Sequence, residues 1–270
     1  MLSASRRSFS TASGKPKVAV IGAGWGGFGF AKNINKKMYD VTLISPRNHF
    51  LMTPLLPSAA VGTIEFRAIQ EPVRTIKGLK YFQAECKDID LEKKLLTCEE
   101  YFTKGIYTEE YDYLMLAPGM RSRTFKTPGL SEENHVFFLK NLWDARRIRN
   151  RANECFERAS NPKIDPGERK RLLTFIIVGG GPTSVEFAGE LHDLCAKDLK
   201  RWYPELVDEV SIKIVEPAPE LLGNFSAELK KYVMSRYRKY NMDIMTGTAC
   251  SGIERFDGHK TRAIFSNGQI

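Results

Sequence analysis

One pattern occurs twice in this chain and restricts its fold more than any other feature. The apolar residues 18–21 run directly into Gly22-Ala23-Gly24-Trp25-Gly26-Gly27, and the apolar residues 172–178 run directly into Gly179-Gly180-Gly181-Pro182. After each cluster, apolar residues recur at helical spacing. A strand, a Gly-rich turn and a helix in this order form the context in which such glycines indicate a dinucleotide site. The recurrence therefore predicts an α/β protein with two Rossmann-like dinucleotide-binding domains.

The glycines of the first turn fit the roles that a dinucleotide demands. Gly22 allows the tight bend, Gly24 lets a pyrophosphate approach the backbone, and Gly27 lets the helix pack closely on the strand. The free N–H groups at the start of the helix, together with its dipole, would then face the phosphates. We therefore expect a nucleotide at this turn.

The second turn repeats these roles with one departure. Gly179 and Gly181 take the first two positions, Ser184 stands where the third glycine is expected, and Pro182 suits the first turn of a helix. The following strand ends at Glu216, whose carboxylate would accept hydrogen bonds from ribose hydroxyls and repel a 2′-phosphate. This favours NADH over NADPH. The alternative interpretation of Glu216 is a solvated strand end.

The first turn lacks this acid. The position equivalent to Glu216 is Ser45, which is followed by Pro46 and Arg47. A hydroxyl can still bind a ribose, and Arg47 would lie near a phosphate or an adenine. Two nucleotide sites in one chain suggest one nucleotide fixed as a flavin and one exchanged as a nicotinamide.

Other segments give weaker signals. Residues 49–60, interrupted by Pro54 and Pro57, predict an apolar loop, and residues 172–178 predict a parallel strand that is buried on both faces. Further strands are expected at residues 81–83, 94–97, 111–116 and 261–265. Residues 266–268 then predict a hairpin turn. Because the sequence stops within this hairpin, we expect the fold to be truncated at the C-terminus.

The composition argues against several function classes. No stretch approaches the roughly 20 apolar residues of a membrane-spanning helix. The formal net charge of +9 is spread along the chain, which indicates a solvated basic surface. Attraction to an anionic membrane is the second interpretation, and we expect no nucleic acid partner. The five cysteines include no C-x-x-C pair and the four histidines are isolated, so we expect no metal site.

The first 14 residues have the composition of a mitochondrial transit peptide. They include Arg6, Arg7 and five serines, and the first acidic residue of the chain is Asp40. The alternative is a tail that lacks acids by chance. We exclude this segment from the fold.

Four segments resemble one family more specifically than the glycine pattern does. They are residues 22–27 (GAGWGG), 44–47 (ISPR), 53–57 (TPLLP) and 179–191 (GGGPTSVEFAGEL). These segments resemble the type II (alternative, rotenone-insensitive) NADH dehydrogenases, and the similarity runs from about Lys15 to the last residue. The resemblance implies a mitochondrial FAD enzyme at the surface of the inner membrane. Such an enzyme passes electrons from NADH to ubiquinone without pumping protons.

The resemblance also assigns residues to each nucleotide. FAD would be bound by Gly22, Gly24, Trp25, Gly26, Gly27, Ser45, Pro46, Arg47, Thr53, Pro54, Leu55, Ala117 and Gly119. NADH would be bound by Gly179, Gly181, Pro182, Thr183, Ser184, Glu186 and Glu216. Glu190 would be catalytic, positioning NADH or relaying a proton beside the rings; its other interpretation is an exposed helix residue. Pro118 departs from the family, which has Thr in the turn that closes over FAD.

The expected organisation is a transit peptide at residues 1–14, an FAD-binding domain at 15–143, a helical connection at 144–171 and an incomplete NADH-binding domain at 172–270. Ubiquinone is the expected electron acceptor, and the sequence leaves open whether the chain forms a homodimer. One alternative is a truncated nucleotide-binding fragment without activity.

The other alternative is a different flavin-dependent pyridine-nucleotide oxidoreductase. Flavin disulfide reductases need a cysteine pair near the flavin, and residues 41–60 contain no cysteine. Sulfide:quinone reductases also need paired cysteines, for which Cys155 is the only candidate. Cys155 is more simply explained as a buried helix residue.

Overall fold

The computed structural model describes residues 14–256 and 260–268, and the contacts of the chain define two compact units. Of the described residues, those up to Met52 and Gln70–Arg121 form the first unit, and Thr53–Ile69 and those from Ser122 onward form the second. Apart from Gly14, the expected transit peptide lies outside the described residues.

The units differ from the expected domains in two places. By their contacts, residues 53–69 and 122–143 belong to the unit that contains the second glycine turn, whereas the sequence predicts them in the domain of the first. The helical segment expected at 144–171 also belongs to the second unit. Local sequence patterns show where an element begins and ends but not what it packs against, which explains the difference. The assignment of each domain to a nucleotide stays a prediction.

A four-stranded parallel sheet forms the centre of the first unit, in the order Leu79–Phe82 (β5), Asp40–Ile44 (β2), Lys17–Ile21 (β1) and Tyr113–Leu116 (β9). The elements of this unit are β1 (Lys17–Ile21), α1 (Trp25–Asn33), β2 (Asp40–Ile44), β3 (His49–Leu51), β4 (Gln70–Pro72), a 3₁₀ turn (Val73–Thr75), β5 (Leu79–Phe82), β6 (Ala84–Asp90), β7 (Leu95–Glu100), β8 (Ile106–Glu110) and β9 (Tyr113–Leu116). Strands β3 and β4 form an antiparallel pair, and β6, β7 and β8 form an antiparallel sheet.

Strand β1 is covered on both faces because its side chains alternate. Val18 and Val20 pack with Phe28 and other residues in one apolar cluster, whereas Ala19 packs in a second cluster that includes Leu96. Each large side chain buried in this way contributes roughly 2 kcal/mol. This two-sided core holds β1 in a fixed register between β2 and β9.

The register brings three strand ends to one edge. Ile21, the last residue of β1, pairs with Ile44 of β2 and with Leu116 of β9. The segments that follow these strands begin at Gly22, Ser45 and Ala117. Ligands of open α/β sheets bind at this carboxyl edge.

The second unit contains a three-stranded parallel sheet in the order β10-β11-β12 and the hairpin β13-β14. Its elements are 3₁₀ turns (Thr53–Leu55, Phe66–Ile69, Glu132–Asn134 and Val207–Glu209), α2 (Leu56–Val61), α3 (Leu142–Ala159), α4 (Pro166–Leu172), β10 (Thr174–Val178), α5 (Pro182–Asp193, extended by a π-helical segment Leu194–Leu199 and a turn Lys200–Trp202), β11 (Ser211–Glu216), α6 (Ala227–Lys239), β12 (Asp243–Thr246), β13 (Cys250–Phe256) and β14 (Lys260–Phe265).

Helices α3 and α5 share one core in this unit. Asn141 and Asp144 begin α3 with a capping box, which satisfies free N–H groups at its start. The apolar face of α3, including Cys155 and Phe156, then packs in the same cluster as Val185 and other residues of α5. Cys155 is therefore a buried core thiol. Val178 at the end of β10 pairs with Val215, so Gly179 and Glu216 follow at one edge.

Two expectations about secondary structure are wrong. Residues 49–60 form β3, a 3₁₀ turn and most of α2 rather than a loop, because Pro57 lies in the first turn of α2, where a missing N–H costs nothing. The strand expected at 172–178 begins only at Thr174, since Leu172 ends α4. It is also an edge strand, and alternate side chains such as Val178, 52% exposed, lie uncovered rather than buried on both faces.

The other expected strands and helices are confirmed. The strands predicted at 81–83, 94–97, 111–116 and 261–265 overlap β5, β7, β9 and β14. Gly268 has a φ of +79° in the turn after β14, and the returning strand expected at residues 269–270 lies outside the described residues. Within the described part of the chain, no helix combines the length and the apolar character needed to cross a membrane.

Candidate nucleotide-binding sites

The first glycine turn leaves no space for side chains where it bends. Gly22 has a φ of +101°, and its N–H donates to the carbonyl of Ile44 at 2.8 Å. A Cβ on Gly22 would lie 2.1 Å from the carbonyl oxygen of Ala117, and a Cβ on Gly27 would lie 1.9 Å from the carbonyl oxygen of Gly22. Glycine is therefore required at both positions by packing within the unit.

Gly24 is different, because its backbone is open. It is the N-cap of α1, no side chain caps the helix, and Phe28 makes the first helical bond to its carbonyl. The nearest atom to a Cβ placed on Gly24 would be Nη2 of Arg47, at 3.6 Å. Trp25 and Gly26 follow on the exposed first turn. The N–H groups there suit an anion, and the residues present fit a pyrophosphate.

Arg47 brings a positive charge to this position. Ser45 is buried, and its Oγ accepts the N–H of Arg47 at 3.2 Å, while Gln83 donates to the carbonyl of Pro46 at 2.9 Å. Burial lowers the pKa of Arg47, and in the described residues no carboxylate pairs with it. A phosphate beside Gly24 would offset the cost of burying this cation.

The remaining residues predicted for FAD lie in different places. Ala117 packs on the first turn, with its Cβ 3.4 Å from where a Cβ on Gly26 would be. Gly119, at a φ of +75°, is exposed in the following turn. Residues 53–55 form the 3₁₀ turn that opens the second unit, with Pro54 exposed and Thr53 and Leu55 half-buried. The structure thus brings the glycines, Arg47 and Ala117 together within the first unit.

The second glycine turn has the same plan with looser packing. Gly179 has a φ of +107°, and its N–H donates to the carbonyl of Val215 at 2.8 Å. Ser184 fits the place of the third glycine, since its Oγ lies 3.5 Å from where a Cβ on Gly179 would be. Apart from its chain neighbours, no atom of the described residues lies within 4 Å of a Cβ placed on Gly181, the N-cap of α5. The backbone at Gly181 is therefore open to a ligand.

The start of α5 exposes the other residues predicted for NADH. Pro182 and Thr183 are exposed on the first turn, and Glu186 is exposed one turn later. Partial burial and the nearby charge of Glu190 raise the pKa of Glu186.

Glu216 contacts the second turn directly. Its Oε2 accepts the N–H of Gly180 at 2.5 Å, and its Oε1 accepts the N–H of Ala218 at 2.7 Å. A Cβ on Gly180 would lie 2.9 Å from Cγ of Glu216 and 2.7 Å from Cδ2 of Leu221, so only glycine lets the acid reach this position unhindered. Each carboxylate oxygen retains capacity for another donor, as a ribose hydroxyl requires. Sequence reasoning missed the role of Gly180, although the run of three glycines was a signal for it.

Glu190 is held by two hydroxyl groups. Ser58 Oγ donates to its Oε1 at 2.6 Å, and Thr63 Oγ1 donates to its Oε2 at 2.8 Å. Glu190 is half-buried, so the interpretation as a solvated helix residue does not hold. The two hydrogen bonds fix the orientation of the carboxylate.

Arg149 in turn fixes the segment that carries these hydroxyls. Its Nη2 donates to the carbonyl of Ala59 at 2.7 Å and to that of Ile64 at 3.4 Å, and its guanidinium lies 4.2 Å from the centre of the Phe66 ring. Sequence reasoning missed Ser58, Thr63 and Arg149. No local pattern reveals contacts between residues about 90 to 130 positions apart.

Known proteins match this arrangement. The chain is 41% identical over 247 residues to the external alternative NAD(P)H-ubiquinone oxidoreductase B4, mitochondrial, of Arabidopsis thaliana, covering 88% of this chain and 42% of that protein. It is 39% identical to the external NADH-ubiquinone oxidoreductase 2, mitochondrial, of Saccharomyces cerevisiae, covering 89% of this chain and 45% of that protein. The chain therefore spans about half the length of the curated relatives it matches.

A solved structure matches as well. NDH2 from Plasmodium falciparum in complex with NADH is 32% identical, with a TM-score of 0.85 over 92% of this chain and 53% of that one. The predicted resemblance and the predicted fold class are both confirmed by these matches. The family model for pyridine nucleotide-disulphide oxidoreductases covers residues 16–270. The chain belongs to this family.

Proposed function

We propose that this chain forms the nucleotide-binding part of an FAD-dependent enzyme that transfers electrons from NADH to ubiquinone without pumping protons. The observation that carries the proposal is the pair of glycine turns, each at the carboxyl edge of its own parallel sheet and each with an open backbone at its helix start. The names of the relatives from A. thaliana and S. cerevisiae support NAD(P)H or NADH as donor and ubiquinone as acceptor.

FAD is assigned to the first turn. Gly24 would let its pyrophosphate approach the N–H groups of α1, Arg47 would neutralise phosphate charge, and Ser45 would stand near a ribose. Thr53, Pro54 and Leu55 stay predicted flavin contacts. When bound, FAD supplies the hydride chemistry by accepting a hydride from NADH and passing the electrons to a quinone.

NADH is assigned to the second turn. Gly181 would admit the pyrophosphate, and Glu216 would accept the ribose hydroxyls while it holds the N–H of Gly180. A 2′-phosphate would place negative charge beside this carboxylate, so the residues of this chain favour NADH. The P. falciparum protein was solved in complex with NADH, which supports NADH as a ligand.

Glu190 is assigned to the reaction itself. It lies on α5, two turns beyond the second glycine turn, and Ser58 and Thr63 orient its carboxylate. A fixed acceptor at this place would position the nicotinamide or relay a proton, since reduction of a quinone to a quinol consumes protons.

The proposed location is the surface of the mitochondrial inner membrane. The curated relatives are labelled mitochondrial, and the composition of residues 1–14 supports import. A formal net charge of +9 would favour contact with anionic lipid. The homodimer stays a prediction.

Two matched variants of the natural protein test the assignment of the turns. Gly24→Val and Gly181→Val each add a side chain where the fold has room, so we expect each to cost the helix about 1 kcal/mol and to leave the chain folded. Gly24→Val should lose FAD. Gly181→Val should keep FAD but lose its reduction by NADH and the reduction of a soluble ubiquinone analogue. Equal loss in both variants, or in neither, would contradict the proposal.

A further inference from the structure

Two cysteines face each other across the antiparallel sheet of the first unit. Cys86 on β6 and Cys98 on β7 are direct partners in the strand register. Tyr101 donates its N–H to the carbonyl of its own partner Gln83, which makes that pair hydrogen-bonded. Since bonded and non-bonded pairs alternate, Cys86 and Cys98 occupy a non-bonded pair, in which the Cα atoms lie about 4.5 Å apart. This separation falls within the roughly 4.4–6.8 Å of disulfides.

The surroundings of the two thiols differ. Cys98 is fully buried, whereas Cys86 is half-buried, and both are free cysteines in the apolar cluster on one face of the sheet. The thiol of Cys86 donates to the carbonyl of Asp88 at 3.5 Å, where the register shifts by a β-bulge. One thiol is therefore reachable from solvent and has a second directly behind it.

We propose that Cys86 and Cys98 form an oxidation site, at which hydrogen peroxide converts the two thiols into an intramolecular disulfide. The Cys86 sulfur, as thiolate, attacks one oxygen of the peroxide and breaks the O–O bond, giving a sulfenic acid; the leaving hydroxide takes up the thiol proton as water. The Cys98 sulfur then attacks the Cys86 sulfur, and the displaced hydroxide leaves with the Cys98 proton as a second water. Two thiols lose two electrons and one peroxide is reduced.

The reaction should be slow near neutral pH and accelerate as pH rises. Burial raises the pKa of Cys86, and burial together with the charge of Cys86 raises the pKa of Cys98 to about 12. A raised pKa leaves less thiolate at a given pH, so the rate should increase about tenfold per pH unit below the pKa of Cys86. This site is independent of the nucleotide assignments.

The chain contains a matched internal control at Cys250. Cys250 is also half-buried, its thiol also donates to a carbonyl two residues on, that of Gly252 at 3.7 Å, and burial also raises its pKa. Its partner in the strand register is Phe265 rather than a thiol. Cys86 and Cys250 therefore differ chiefly in what stands opposite them.

Peptide mapping by mass spectrometry tests the proposal on the full chain. Trypsin separates Cys86, in residues 81–87, from Cys98, in residues 95–104, so a disulfide joins two peptides that dithiothreitol releases. After treatment of the folded protein with hydrogen peroxide, we expect these two peptides to be joined and Cys250 to stop at sulfenic acid or its further oxides. Cys98→Ser should make Cys86 behave like Cys250.

Three results would overturn the proposal. Cys86 could remain a thiol under conditions that oxidise Cys250, it could stop at the same oxides as Cys250, or it could join to several cysteines without preference. Joining to several cysteines is expected of an unfolded chain, so a sample oxidised in guanidinium serves as the reference for the peptide map of the folded protein. A second variant, Cys195→Ser, removes a buried core thiol without touching the pair and should leave the joined peptides unchanged.

Discussion

The two glycine turns share a backbone plan but differ in how closely the helix packs on its strand. At the first turn, a Cβ on Gly27 would collide with the carbonyl of Gly22, 1.9 Å away. At the second, Ser184 occupies the equivalent position with a side chain in place, and its Oγ lies 3.5 Å from where a Cβ on Gly179 would be. Both turns nevertheless keep an open backbone at the helix start. The third glycine is therefore a packing requirement of one helix and not a general requirement for an open backbone at the helix start.

The turns also differ in charge. Arg47 lies beside Gly24 at the first turn, whereas Glu216 binds the N–H of Gly180 at the second. Helix α5 carries Glu190 two turns on, and α1 carries no acid. A cation suits a tightly held phosphate, and a carboxylate suits ribose hydroxyls. The difference supports two distinct nucleotides.

The largest expected effect tests the packing difference. Gly27→Ala forces a Cβ into backbone, so we expect a loss on the order of 3 kcal/mol in the free energy of unfolding and loss of bound FAD. Ser184→Ala, the matched change at the second turn, should alter stability by no more than about 0.5 kcal/mol. Urea unfolding and flavin content measure both. Equal destabilisation by the two variants would remove the distinction.

The charge at the second turn is tested by Glu216→Arg in the complete enzyme. Loss of the charged acceptor should weaken the binding of NADH by about 2 kcal/mol, which corresponds to a roughly thirtyfold increase in KM. The same change should improve the use of NADPH. Ser45→Ala, at the equivalent place of the first turn, serves as control and should leave the NADH KM unchanged. A coenzyme preference unaltered by Glu216→Arg would show that this acid does not contact the ribose.

A smaller effect is expected on turnover from the residues around Glu190. Glu190→Gln should lower kcat about tenfold while FAD stays bound. Thr63→Val should reproduce part of that loss, and Thr63→Ser should restore activity because it retains the hydroxyl. If Thr63→Ser were as impaired as Thr63→Val, the hydroxyl would have no role in orienting Glu190. Steady-state kinetics with NADH and a soluble quinone separate these cases.

The smallest effect concerns Arg47 and has opposite signs in two measurements. Arg47→Met should weaken the binding of FAD by about 1 kcal/mol, since a charge-assisted contact with a phosphate is lost. The flavin-free protein should become slightly more stable, because a partly buried cation without a carboxylate partner is removed. Flavin titration measures the first effect, and thermal unfolding of the flavin-free protein measures the second. A loss of stability in the flavin-free protein would mean that Arg47 has a structural role instead.

The two glycine turns could be predicted because their signal is local. Strand, glycines and helix lie within a few residues of one another, and the bend at Gly22 and Gly179 admits hardly any other residue. Glu216 could be predicted for the same reason, since it ends the next strand. Its hydrogen bond with Gly180 could not, because that residue belongs to a separate turn.

The expectations that were wrong or incomplete share another cause. Strands β6 and β8 were missed because they carry many charged residues on an exposed face, which masks the apolar alternation. The segment of helix α2 resembles a loop in sequence because Pro54 and Pro57 interrupt it, whereas Pro57 lies where a helix tolerates a proline. The pairing of Glu190 with Ser58 and Thr63, and that of Cys86 with Cys98, depend on tertiary contacts that no local pattern encodes.

The central claim is that the two turns bind different nucleotides and bind them together. An anaerobic titration of the purified natural protein with NADH, followed by the absorbance of its bound flavin, tests this directly. The account predicts that FAD stays bound while one equivalent of NADH bleaches the flavin. A flavin that stays oxidised, or one that NADH displaces from the protein, would contradict it.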